Sequence, residues 1–203
     1  MLDFSVEENA FKRSLRYFVG SVLRPRETFR LLGQEQSIKV GVILIAMKWI
    51  LCEFYVLYLY HTDQVLFAPP FLNIPAEDFR FYELFYYIPF GFVLWILIAG
   101  LAQTLARALG GKGSFENCLN IMGIVVFTPF VFIDSADVLF MIANQGDWAF
   151  TFNTFTRTLY VLWSTVLLAV GLNVIHRLPL ARSAAISVIC NVFSVLVNVI
   201  FIR

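Results

Sequence analysis

Long apolar runs broken by short polar or turn-forming stretches set the pattern of this chain. Five runs, Val40–Tyr60, Leu84–Ala106, Leu119–Ala143, Phe155–Ile175 and Ala184–Ile202, are each apolar over most of their length. A helix needs about 20 such residues to cross a hydrocarbon layer roughly 30 Å thick. Every run meets that length, the fourth only by including Phe155 and Tyr160. The pattern predicts an all-α, polytopic membrane protein with five transmembrane helices, forming one membrane domain over residues 40–203. The connections are short except His61–Glu83, which carries Pro69, Pro70 and Pro75 among many aromatics. That stretch cannot be one regular helix, and its Phe and Tyr content suits the outer membrane surface.

Residues 1–39 are patterned differently. Phe11, Leu15, Phe18 and Val22 recur at i, i+4, i+7 and i+11, one apolar stripe along a helix over Ala10–Leu23, with Lys12, Arg13 and Arg16 beside it. Arg24-Pro25 ends that helix, and Pro25 suits the first turn of a second short one through Leu32. A basic amphipathic segment next to a first span is expected to lie flat in the cytoplasmic interface. There Lys12, Arg13, Arg16, Arg24 and Arg26 would contact anionic headgroups. The plainer alternative is that these charges only set topology.

Composition agrees with a lipid solvent. Apolar residues make up 60% of the 203 and charged ones only 14%, against about 25% charged in a typical soluble domain. Mean hydropathy is +0.78. The net charge of +1 gives no reason to expect nucleic acid as a partner. Placement of the basic residues matters more than their number. Lys12, Arg13, Arg16, Arg24, Arg26, Arg30 and Lys39 precede the first run, and Arg107, Lys112, Arg177 and Arg182 flank the second-to-third and fourth-to-fifth connections. The other side has Arg80, Arg157 and Arg203. Lys and Arg concentrate in cytoplasmic loops, so the N-terminus is expected inside and the C-terminus outside. The first residues carry acids and no apolar core before a cleavage site, so no signal peptide is expected.

Polar residues inside the runs carry the candidate chemistry. In the third run Asn120, Gly123, Phe127, Phe130, Asp134 and Asp137 lie along one face, and Pro129 should kink the helix and free a carbonyl near residue 125. Carboxylates within a bilayer are costly and call for a partner. The first run offers Lys48, about 12 Å from the cytoplasmic side, and Glu53, about 20 Å in; Asp134 is about 22 Å in and Asp137 about 27 Å. A Lys48–Asp134 pair requires the lysine stem to reach outward, Glu53 would repel Asp134 unless one is protonated, and Asp137 lies near enough to the surface to reach outer headgroups. Lys48, Glu53, Asp134 and Asp137 thus form either a buried network or an ion or proton site. In the fifth run Ser187, Asn191, Ser194 and Asn198 share one face, which suits packing against other helices, with a polar pore lining as the alternative.

Enzymatic signatures are missing. The chain has no HExxH, GxSxG, CxxC or CaaX pattern, and Asp134 and Asp137 share one helix, the wrong layout for a two-helix aspartyl dyad. His61 and His176 are expected at opposite membrane faces. Cys52, Cys118 and Cys190 are scattered, without disulfide or metal-ligand spacing. Gly110–Ser114 lacks the GxxxxGK[ST] spacing and follows no strand, so it is read as a tight turn. No catalytic residue, cofactor or metal is expected.

Three motifs resemble the Yip domain family (Ypt/Rab-interacting proteins). "LRPRETFRLL" (Leu23–Leu32) resembles its amphipathic Pro-x-x-Thr-Phe segment. "LGGKGSFENCLNIMGIVVFTP" (Leu109–Pro129) resembles its Gly-Gly-x-Gly-Ser-Phe turn leading into a span with a mid-helix proline. "WSTVLLAVGLNVIHRLPLARSAA" (Trp163–Ala185) resembles its Trp, Gly-Leu and His-x-Leu sequence before the last helix. The resemblance implies a non-enzymatic membrane organiser or trafficking factor that binds lipids, other membrane proteins or itself, with small GTPases as partners by family analogy only. The chain lacks the long hydrophilic N-terminal region of the eukaryotic relatives and has no N-x-[ST] sequon, so a prokaryotic inner-membrane member is expected. A small transporter or ion-conducting subunit using Lys48, Glu53 and Asp134 is the alternative.

Overall fold

The computed structural model describes residues 9–62, 75–143 and 147–201, and among these it is helical throughout, with no strand. The first two helices are α1 (Ala10–Leu23) and α2 (Pro25–Leu32). The membrane helices are α3 (Lys39–His61), α4 (Ala76–Ala108), α5 (Phe115–Pro129) continued by a π-helical turn (Phe130–Asp134) and α6 (Ser135–Ala143), α7 (Asp147–Ile175) and α8 (Leu180–Phe201). Five segments are long and apolar enough to cross a membrane: Lys39–His61, Asp78–Ala108, Phe115–Phe140, Thr151–Ile175 and Leu180–Phe201. The expected number of spans is found, but several boundaries move outward.

Local chemistry explains the moves. α4 starts directly after Pro75, so the expected connection His61–Glu83 is helical over its last turns; residues 63–74, with Pro69 and Pro70, lie outside the described part. α5 starts four residues before Leu119 because Ser114 caps it, its hydroxyl accepting from the Asn117 amide at 3.2 Å. α7 starts well before Phe155, which moves Arg157 from the third residue of the expected run to the seventh of the fourth span.

The third span is the axis of the bundle. Of its most apolar window 72% is buried, against 17% for the fifth span. It packs on α3, α4 and α7, while α8 leans on α7 and α4, and α1 and α2 cover the side left between α3, α5 and α7. Large apolar side chains point outward around the whole perimeter, including Phe54, Phe85, Leu162 and Leu196. That is the inverse of a soluble core and suits lipid as the surrounding solvent.

Two glycines set the α3–α5 crossing. A Cβ on Gly123 would stand 2.6 Å from the Gly41 Cα, so the backbones touch. Asn120, fully buried, uses this closeness: its Oδ1 accepts from the Gly41 amide at 2.8 Å and its Nδ2 donates to the Ser37 carbonyl at 2.9 Å. Ile38 offers α3 no side-chain cap, and Asn120 supplies one from a neighbouring helix.

α1 departs from the expected face. Its buried side chains are Ser14, Tyr17 and Ser21, whereas Phe11 and Val22 of the expected stripe are exposed together with Val19 and Leu23. Ser21 shares a 2.9 Å hydrogen bond with Thr128, and Phe18 meets the Phe127 and Phe132 rings. Thr128 is about 20 Å along α5 from Phe115. The helix therefore packs on the bundle wall at mid-span through a small, polar face and turns part of its apolar stripe away. Burial, then the adjacent Glu35 carboxylate bonded to Tyr17 Oη at 2.9 Å, raise the Tyr17 phenol above its ordinary pKa.

Candidate functional site

Pro129 cannot donate to the helical ladder, and the turn after it widens. The Phe130 amide bonds to the Phe127 carbonyl, and the Tyr160 hydroxyl of α7 donates to the Val126 carbonyl at 3.1 Å, one that a straight helix would give to Phe130. The loosened carbonyl lies one residue from the expected place. The π-turn ends at Asp134 and directs that carboxyl into the bundle, with 11% of its side chain exposed.

The expected Lys48–Asp134 pair is not formed. Asp134 Oδ1 instead takes Arg157 Nη1 at 3.5 Å, long for a hydrogen bond but within ion-pair range. Charge counting places Arg80 and Arg157 on the outer side; Arg80 lies within the second span and not in the connection before it, and it bridges to the buried Glu83 at 2.7 Å. Lys48 is 9% exposed, and its ammonium sits 3.2 Å over the Trp49 ring centroid and 5.8 Å from that of Phe130. No carboxylate among the described residues comes within ion-pair distance of it. Glu53 stands apart, half-buried, with no hydrogen-bond partner for its buried Oε2 among the described residues. Asp137 does not reach outward: at 2% exposure it accepts from Asn153 Nδ2 at 2.5 Å and from Thr156 Oγ1 at 3.0 Å.

All of these charged groups but Glu53 face a cavity of about 1190 Å³ walled by all five spans. Lys48 comes from α3, Tyr87 from α4, Asp134 from the π-turn, Arg157 from α7 and Asn191 from α8. Much of the rest of the wall is aliphatic or aromatic. The stripe on α8 divides here. Asn191 joins α8 to α7, accepting from Ser164 Oγ at 3.1 Å and donating to Thr165 Oγ1 at 3.0 Å. Ser187 bonds the Ser183 carbonyl, and Asn198 bonds Ser194, all within α8, while Ser194 and Asn198 also line the cavity.

The N-terminal basic residues are partly engaged within the protein. Arg13 pairs with Glu35 at 3.2 Å and Arg24 with Glu27 at 3.5 Å. Lys12 and Arg26 are exposed, and Arg16 is half-buried.

A second junction escaped the sequence reading. The fully buried His176, just past α7, lies against the glycine turn: a Cβ on Gly113 would come within 2.8 Å of its ring. Its carbonyl accepts from the Lys112 amide at 3.1 Å, and its Nε2 is 3.2 Å from Cys118 Sγ, which also lies 3.2 Å from Gln103 Oε1. One thiol hydrogen cannot serve both neighbours. If it goes to Gln103 Oε1, an acceptor only, Nε2–H donates to sulfur and Nδ1 keeps a buried lone pair. Burial, then the Arg107 guanidinium, lower the His176 pKa from 6.5 to about 4. The sequence carries both halves, the glycines of the Gly110–Ser114 turn and His176 of the third motif, but no local pattern joins them.

Comparison with known proteins adds one finding. A family model described as the Yip1 domain matches residues 19–202. No curated protein and no solved structure matches.

Proposed function

This chain belongs to the Yip1 domain family, and from that membership we propose that it is a non-enzymatic membrane organiser that holds lipids or membrane-embedded partners in its helical bundle. It is an integral, multi-pass membrane protein by its five apolar spans. The observation that carries the proposal is the cavity of about 1190 Å³ between the spans, aliphatic over much of its wall and floored by charge. Pockets of that kind receive ligands largely by burial and orient them with a few polar groups. The organiser sits in a prokaryotic inner membrane with its N-terminus in the cytoplasm. Small-GTPase binding rests on family analogy alone.

Because Lys48 and Asp134 both face the cavity, the transporter reading keeps one supporting observation. Reconstitution into proteoliposomes with pH- and cation-sensitive dyes separates the two. An organiser leaves both signals at the empty-liposome level. A flux that Asp134→Asn abolishes overturns the organiser reading. Reporter fusions check topology: Gly111 is expected inside and Arg203 outside, and finding both on one side refutes the orientation.

A further inference from the structure

We propose that the cavity binds the phosphate of a phospholipid headgroup, with Lys48 and Arg157 as its anion-binding groups. The inference rests on the organiser reading and names its ligand chemistry.

The polar groups of the wall differ in what they have left to offer. Asp137 has both oxygens taken by Asn153 and Thr156, and Arg80 and Glu83 neutralise each other at 2.7 Å. Lys48 is the exception. It is nine-tenths buried and lines the cavity, and its ammonium lies over the Trp49 and Phe130 rings with no ion pair among the described residues. A buried ammonium with no anion or hydrogen-bond acceptor is costly, and a cation–π contact offsets only part of that cost. Arg157 has five N–H donors and commits one nitrogen to Asp134, while 57% of its side chain stays open. Arg157 pairs with Asp134 at the end of the π-turn, and Lys48 lines the same cavity. A phosphate accepts from both an ammonium and a guanidinium, which a single further carboxylate satisfies less well.

The rim identifies the source of the phosphate. Leu51, Leu139, Leu162 and Val195 line the cavity and are 42–68% exposed. The cavity is partly open, with these apolar side chains at its rim. An acyl chain can lie across that rim while its headgroup reaches the cations. Free phosphate would have to cross the same apolar rim without its hydration, which is strongly unfavourable.

The test uses the full chain, purified in mild detergent and examined by native mass spectrometry and thermal shift. Short-chain phosphatidylglycerol, inorganic phosphate and short-chain diacylglycerol are titrated separately. Phosphatidylglycerol is expected to bind and stabilise, with diacylglycerol at least about tenfold weaker for loss of the charge-assisted hydrogen bonds and inorganic phosphate at least about tenfold weaker for loss of the buried chains. Lys48→Met should weaken phosphatidylglycerol binding about tenfold or more, while Lys48→Arg restores most of it. If inorganic phosphate binds as well as the lipid, the site takes a free anion and the proposal falls. If diacylglycerol binds as well, or Lys48→Met binds like wild type, the phosphate is not what the cavity reads. Should Lys48→Met fail to fold, the three ligands on wild type still decide. Ion flux in proteoliposomes would sink the organiser reading by a separate readout.

Discussion

Replacing Arg157 tests which cation Asp134 depends on. At 3.5 Å Coulomb's law gives about 5 kcal/mol for this pair at an effective dielectric of about 20, and about 1 kcal/mol in water. Taking both ions out of water offsets part of that attraction, so the net value lies well below the upper figure. Arg157→Met is therefore expected to destabilise by about 1–3 kcal/mol, chiefly by leaving Asp134 without its partner. Asp134→Asn in the same background should return part of that loss, giving a coupling of about 1–2 kcal/mol. The corresponding Lys48–Asp134 cycle should give less, because Lys48 rests on Trp49 and makes no ion pair. Both cycles are read from unfolding in mixed detergent, with helicity and a tryptophan signal followed together to check two-state behaviour. A Lys48–Asp134 coupling larger than the Arg157–Asp134 one would refute the assignment and restore the pairing expected from helix depth.

The other expected outcomes follow from single contacts. Asn120→Leu leaves the Gly41 amide and Ser37 carbonyl without their partner and should cost about 1–4 kcal/mol in the same unfolding assay; an unchanged midpoint would refute its capping role. Asn191→Leu should cost about 0.5–2 kcal/mol through its two bonds to α7, and Asn198→Leu less, since its bonds stay within α8; the reverse order would count against the packing account. For His176 the folded pKa of about 4 lies below the ordinary 6.5, so the unfolded chain binds more protons between these values. The stability tied to His176 is therefore full above about pH 6.5 and lost as pH falls towards 4. Thermal scans should show this loss diminished in His176→Gln, and an equal acid sensitivity in both proteins would refute it. Gly123→Leu should separate α3 from α5 and lower thermal stability sharply, because even a Cβ would meet Gly41 Cα at 2.6 Å; a fold of unchanged stability would exclude the backbone contact.

The sequence by itself determined the number of spans, the all-helical class and the family motifs. Run length against bilayer thickness is a local property, readable one segment at a time. So was the prediction that Pro129 would disturb its helix, since the missing N–H belongs to that residue alone. Partnerships were decided only in three dimensions. Asp134 meets Arg157 because α7 starts before Phe155 and sets that arginine deeper in its span, and because the π-turn ends with that carboxyl facing inward. Asn120 caps α3 and His176 fills the gap beside Gly113 only once helices distant in sequence lie together. α1 shows the physical reason most plainly. Apolar periodicity chose Phe11, Leu15, Phe18 and Val22 as its working face, yet Ser14, Tyr17 and Ser21 are the residues packed inside. In water a large apolar face is driven inward, so its stripe predicts the contact. Lipid is as apolar as leucine and removes that drive, leaving close packing of small residues and hydrogen bonds such as Ser21–Thr128 to choose which face turns in.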